Sequence, residues 1–190
     1  FGNERVNIAT ALDDNYVLSL GVMLTSLFEN TAFRDLLDVY IIEGSLAQSS
    51  KQKLLGIGKK YGVPINFIPI DITKFEHLKT GEYWNTAVYY GLMIPVLLSP
   101  SIQKVLYLDC DLIVKDDIID IWKIDISHHF LAAVEDLRIE YLRWDVKDKL
   151  GIPQNKKYFN GGVMLINLNL WRQNDISNKI LKFIQENPEK

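Results

Sequence analysis

Asp109 and Asp111, with Cys110 between them, are the residues of this chain whose types and spacing most readily do chemistry. They follow a mostly apolar run, Lys104-Val105-Leu106-Tyr107-Leu108, and precede a second one, Leu112-Ile113-Val114. This pattern predicts a buried strand over 104–108 that ends on an acid pair. In extended chain, side chains at i and i+2 share a side, which would turn both carboxylates to one solvent pocket and Cys110 into the packing. Two carboxylates about 4 Å apart repel by about 4 kcal/mol at an effective dielectric of about 20, so either one takes a proton or a cation lies between them. Oxygen-only ligands suit Mg²⁺, Mn²⁺ or Ca²⁺, and two protein carboxylates leave octahedral positions for phosphate oxygens and water. The competing account is a strand end whose acids are merely solvated, since Asp-x-Asp is short and common.

Three further clusters end or begin strands. Asp13, Asp14 and Asn15 follow the apolar stretch 6–12 and precede a helical pattern over 16–29. They are good N-cap residues. The functional alternative is that acids occupy a helix start where a phosphate would otherwise bind, so the turn suits hydroxyls or a base N–H rather than pyrophosphate. Glu135 and Asp136 close a strand expected over 130–134. Asn160-Gly161-Gly162 stands before the apolar run 163–167, either as an ordinary turn or as backbone kept bare so that a ligand can lie against it. His77, His128 and His129 have no metal-ligand spacing, and no role is assigned to them.

The elements that must position these groups alternate. Strand 6–12, helix 16–29, strand 39–42, helix 46–61 stopped by Gly62 and Pro64, and strand 65–70 make β-α-β-α-β. That order argues for α/β architecture, a mostly parallel sheet wrapped by helices on both faces, with ligands at carboxyl ends of strands near a reversal of strand order. Beyond it come a polar stretch 71–83, a helix 86–98 containing Pro95, the strand 104–108, a short amphipathic turn 118–122, a helix 138–150 with a solvated charged face, and a closing helix 168–186. No Gly-x-Gly-x-x-Gly of a dinucleotide fold follows the first strand.

At 190 residues, 48% hydrophobic and 24% charged, the chain supports one globular domain over 1–190. A formal charge of −3 without long like-charged blocks gives no footprint for nucleic acid or an anionic membrane. Cys110 is the single cysteine, which excludes an internal disulfide and fits a reducing compartment. No apolar run is long enough for a transmembrane helix, and a cytoplasmic location is expected. The start at Phe1 and the end at Lys190 after a helix fit a trimmed or partial protein.

Ala11-Leu12-Asp13-Asp14-Asn15-Tyr16, Lys104 to Asp111, and Tyr158-Phe159-Asn160-Gly161-Gly162-Val163-Met164-Leu165-Ile166-Asn167 with Trp171 beyond occur in that order. Together they resemble the family 8 retaining glycosyltransferases, which include bacterial lipopolysaccharide and adhesin glycosyltransferases and glycogenin. The resemblance implies the GT-A fold, a UDP-sugar donor, a divalent cation, usually Mn²⁺, and transfer of a hexose to a glycan, lipid or protein acceptor. It makes Ala11, Asp13 and Asn15 contacts to uracil and ribose, and Asp109 and Asp111 the metal ligands, with Cys110 in the donor-binding set. It turns Asp136 and Asn160, with the Gly161-Gly162 backbone, toward the transferred sugar. It also implies a C-terminal continuation that carries a histidine as third metal ligand, a Gln-Asp segment near the reacting sugar, and peripheral membrane attachment. One position departs from the family: Tyr89-Tyr90-Gly91-Leu92 has glycine where an arginine is expected, and Lys115 is a candidate to replace it. Two other classes compete. One is a scaffold that binds UDP-sugar without turnover, and the other is a Mg²⁺ phosphohydrolase, against which stands the deep position of the acid pair and the Leu112-Ile113 that follows it.

Overall fold

The computed structural model describes residues 4–75, 86–142 and 144–187. A six-stranded sheet organises them: β1 Val6–Leu12, β2 Leu37–Glu43, β3 Ile65–Pro69, β4 Lys104–Leu108, β5 Leu131–Glu135 and β6 Phe159–Asn167. Their spatial order is β3-β2-β1-β4-β6-β5. β1, β2, β3 and β4 run parallel, while β6 lies antiparallel between β4 and β5. The expected mostly parallel sheet is present, and strand order reverses between β1 and β4, the place where open α/β sheets commonly bind ligands.

Strand alternation sorts the core into two layers. Val6, Ile8 and Leu12 of β1 with Leu106 and Leu108 of β4 pack on α1 (Val17–Asn30), α2 (Gln48–Tyr61) and the Trp122 of α4 (Ile119–Trp122). Ala9, Ala11, Val105 and Tyr107 point the other way. They meet Tyr90, Ile94, Leu98 and Trp171, contributed by a 3₁₀ segment Thr86–Met93, α3 (Ile94–Leu97) and α7 (Leu168–Gln173), with α8 (Ile176–Glu186) behind. α1 holds to the first layer through Leu20, Met23, Leu24, Leu27 and Phe28, all fully buried. Each such side chain contributes about 1.5–3 kcal/mol. The helix is not covered all round, because Leu18 and Val22 are 81% and 48% exposed.

Several expected elements divide. The predicted helix 86–98 is the 3₁₀ segment followed by α3, with Pro95 in the first turn of α3, where its missing N–H costs nothing. The predicted helix 138–150 is α5 (Leu137–Leu142) and α6 (Trp144–Leu150). Lys147, expected on the solvated face, is instead buried, and its Nζ donates to the Gln154 carbonyl at 3.0 Å. The closing helix breaks between α7 and α8 at Asp175, whose φ of 53° lies in the left-handed region. His77 and Arg143 lie outside the described residues.

Two side chains beyond β6 fix the segments that flank β4. The Arg172 guanidinium donates to the carbonyls of Pro95, Leu98, Ser99, Pro100 and Ile102, which gathers the α3–β4 connection. Trp171 Nε1 donates to Ser177 Oγ at 3.0 Å, and that hydroxyl donates to the Leu92 carbonyl at 2.6 Å. The chain carrying Gly91 is thereby held over Tyr107.

Candidate functional site at the carboxyl edge of the sheet

The carboxyl ends of β1, β4 and β5 and the amino end of β6 meet at one edge. At the exit of β1, Ala11 is buried, and Asp13 caps a 3₁₀ turn Asp14–Tyr16 that leads into α1. Asp13 Oδ1 accepts the Asn15 backbone N–H at 2.9 Å, and Oδ2 accepts from Asn15 Nδ2 at 3.4 Å. The capping role is therefore real. It also locks Asp13 and Asn15 into one unit, with the Asn15 side chain exposed.

The exit of β4 differs from the extended pair expected from sequence. The strand ends at Leu108 and the chain turns at Cys110-Asp111, so Asp111 is not presented by strand alternation. Alternation does persist to Cys110, whose side chain packs in the core with Leu108. Burial, then Asp111 and Asp109, push its thiol up to about 12, so it stays neutral, and any contact from Cys110 to a donor would come from its backbone. Asp109 is half-buried and Asp111 exposed. Asp109 shares its side of the strand with Tyr107, whose hydroxyl donates to Asp109 Oδ1 at 2.9 Å. Burial raises the Asp109 carboxyl above its ordinary value and Asp111 adds to the rise, while the Tyr107 hydroxyl opposes it. Burial and the neighbouring acids keep Tyr107 protonated, a permanent donor. Tyr107 was not singled out from sequence, although its i, i+2 relation to Asp109 was visible there.

The Asn-Gly-Gly motif is strand, not turn: Asn160, Gly161 and Gly162 lie within β6, and neither glycine has positive φ. Asp109 N–H donates to the Gly162 carbonyl at 2.8 Å, which continues the β4–β6 ladder past Leu108. A Cβ at Gly162 would stand 2.8 Å from Asp109 Oδ2 and 3.1 Å from Asn160 Oδ1. The bare backbone expected to admit a ligand thus admits, at Gly162, the Asp109 carboxylate. Gly161 has open space where a Cβ would be. Asn160 Oδ1 accepts the Gly162 N–H at 2.8 Å, and its Nδ2 approaches Asp136 Oδ2 at 3.5 Å. Asp136 is fixed by its N–H to the Tyr158 carbonyl (2.8 Å) and by accepting the Ile139 N–H (3.0 Å). The structure therefore pairs Asp136 with Asn160 and places Asp109 beside Gly162.

For a divalent cation the residues fit. The donor set is all oxygen, and Asp109 carries charge that burial and Asp111 both oppose. Among the described residues no group of three or more His, Cys, Asp or Glu gathers. A polar cleft of about 840 Å³ lies at the opposite edge of the sheet. Among its charged groups, Arg5 engages Asp38 at 2.7 Å and Lys104 donates to the Trp122 carbonyl at 2.9 Å. Among the described residues no helix is long and apolar enough to cross a membrane.

The mixed sheet, with its reversal of strand order between β1 and β4 and acidic turns at that edge, is the GT-A fold. Residues 7–190 match the pattern of glycosyl transferase family 8, and the chain belongs to that family. It is 35% identical to General stress protein A of Bacillus subtilis over 98% of this chain and 64% of that protein. It is 28% identical to a lipopolysaccharide 1,2-glucosyltransferase of Escherichia coli K12 over 96% of this chain and 53% of that one. The crystal structure of the galactosyltransferase LgtC with donor and acceptor sugar analogues superposes with a TM-score of 0.87 at 26% identity, over 97% of this chain and 66% of that one. The chain thus spans between about half and two thirds of the length of these relatives.

Proposed function

We propose that this chain carries the donor site of a retaining hexosyltransferase that takes a UDP-sugar together with Mn²⁺ or Mg²⁺. Family membership and similarity to lipopolysaccharide glycosyltransferases support sugar transfer to a glycan, lipid or protein acceptor. The observation that carries the metal-linked donor is Asp109. Burial and Asp111 work against its charge, and the neutral Tyr107 donor offsets them only in part. An acid kept charged there gains from a cation. Asp109 and Asp111 would hold that cation, which supplies Lewis-acid neutralisation of the diphosphate. Asp13 and Asn15, locked together, offer one carboxylate and one amide to the uracil and ribose. Asp136 and Asn160 accept and donate hydrogen bonds to sugar hydroxyls and orient the ring. Gly162 keeps the Asp109 carboxylate in place.

Calorimetry of UDP with Mn²⁺ and with a chelator tests the reading. Affinity is expected to be at least about tenfold higher with Mn²⁺, a difference of about 1.4 kcal/mol. Asp109→Ala and Asp111→Ala are each expected to remove that difference. Equal affinity with and without metal in the wild type would end the metal-linked reading.

A further inference from the structure

Asp14 stands between the two residues assigned to uridine, yet its carboxylate is engaged with a different turn. Both of its oxygens accept the backbone N–H of Ala47, at 3.2 and 3.1 Å, across the gap between the exits of β1 and β2. Those exits lie side by side, because Leu12 and Glu43 are register partners. Ala47 is the N-cap residue of α2 and has no side-chain cap of its own, so an acid from outside meets the positive end of a 14-residue helix.

The turn that receives Asp14 is a fixed point. Glu43 is 3% exposed, and its Oε2 accepts the Leu46 N–H at 2.9 Å while Oε1 accepts from Lys51 Nζ at 2.6 Å. Two successive amides, Leu46 and Ala47, thus point at two carboxylates, one from each strand exit. Gly44 seats the turn against its neighbours, since a Cβ there would stand 2.3 Å from Ile72 Cγ2 and 2.8 Å from the Tyr90 hydroxyl.

The Asp13–Asn15 bonds fix those two residues relative to each other. Asp14, between them, adds a tie from that unit to the neighbouring turn. We propose that Asp14 is a positioning residue for the nucleotide: by anchoring the β1 turn to Ala47 it sets where Asp13 and Asn15 stand, and so sets donor affinity and base selectivity. The inference rests on the uridine-reading role given to Asp13 and Asn15 above. A displacement of about 1 Å in a binding group is enough to cost an order of magnitude or more.

The other end of the bond gives a clean perturbation. Ala47 has φ of −59°, a value proline adopts, so Ala47→Pro deletes the N–H while Asp14 remains. In the full-length protein, Asp14→Ala and Ala47→Pro are each expected to weaken UDP binding with Mn²⁺ by about tenfold and to narrow the preference for UDP over CDP. Asp14→Asn keeps an acceptor oxygen and is expected to stay within about threefold of wild type. Ala47→Pro carries the test alone should Asp14→Ala not fold. Wild-type affinity and preference in Ala47→Pro would overturn the proposal, whether Asp14→Ala then loses binding, which would make Asp14 a direct contact, or keeps it, which would make it a cap only. Asp13→Ala is the control for the underlying reading. If it binds UDP as wild type does, uridine reading at this turn falls and the positioning role with it; if it loses binding while Ala47→Pro does not, the positioning role alone falls.

Discussion

Two acidic turns leave adjacent parallel strands at the same edge of the sheet, and their carboxylates live under opposite conditions. At the exit of β1, Asp13 accepts a backbone N–H of its own turn and Asp14 accepts one from the start of α2. At the exit of β4, Asp109 is half-buried beside Asp111, has a hydroxyl for a donor, and is held above the ordinary carboxyl value. The acids of the first turn accept backbone N–H groups, whereas at the second the charge of Asp109 is opposed by burial and by Asp111. Under the proposed function the first would read hydroxyls and base edges by fixed geometry, and the second would recruit a cation and a phosphate group.

The sharpest way to break that contrast is to move the Asp109 carboxylate without changing it. Gly162→Ala would put a Cβ 2.8 Å from Asp109 Oδ2, and the terminus of a side chain is what must yield. Stability is expected to change little, and sugar transfer measured as kcat/KM to fall about a hundredfold. Gly161→Ala, with no protein atom within 4 Å of the new atom, leaves Asp109 where it is, so any loss of transfer there would report on a sugar lying against that backbone rather than on Asp109. Full activity in Gly162→Ala would mean that the position of Asp109 does not matter to the reaction.

How much of this was legible in the sequence depends on whether the information was local. Strands β1 and β4 were visible as apolar runs, and the inward Cys110 followed from the alternation of an extended chain. The antiparallel entry of β6 between β4 and β5 was not, because register across a sheet is set by packing between distant segments. That is why Asn160-Gly161-Gly162 read as a turn or a ligand platform: its reason at Gly162 is Asp109, remote in the chain and adjacent across the ladder. Asp14 was read as a cap of its own helix. Its partner Ala47 belongs to the next one, which no spacing rule reveals. The breaks at Pro95 and Asp175 were partly visible, since proline marks a first turn as readily as a kink, while a left-handed aspartate leaves no sequence signal.

A gain of function would sharpen the contrast from the other side. If the β4 exit is short of positive charge, then the glycine at 91, where the family resemblance leads one to expect arginine, is part of the reason. Close packing does not require glycine here: a Cβ at Gly91 would meet the Tyr107 ring at 3.5–3.7 Å, ordinary van der Waals contact. A longer side chain there would start beside the hydroxyl that holds Asp109. Gly91→Arg in the full-length protein is expected to raise sugar transfer about tenfold, or about 1.4 kcal/mol of transition-state stabilisation. Unchanged or lower activity in a folded variant would show that Gly91 is native to the mechanism.

The smallest expected effect is on stability, and it tests the contrast without any substrate. Because the folded-state value of Asp109 lies above the ordinary 3.8, its contribution is fully present below pH 3.8 and is lost as pH rises through the raised folded value. Above that window the metal-free protein bears an ionised carboxylate that burial and Asp111 oppose. Asparagine does not titrate. Melting temperatures of Asp109→Asn and wild type in chelator should therefore differ by a constant amount below pH 3.8 and then separate in favour of the variant as pH rises, reaching a gap of a few degrees by neutrality. Mn²⁺ with UDP should close or reverse the gap, since a ligand that binds only the folded wild type raises its melting temperature by mass action. Parallel curves for Asp109→Asn and wild type across the whole range would show that the Asp109 charge is not opposed by its surroundings, and the β4 exit would have no charge awaiting a cation.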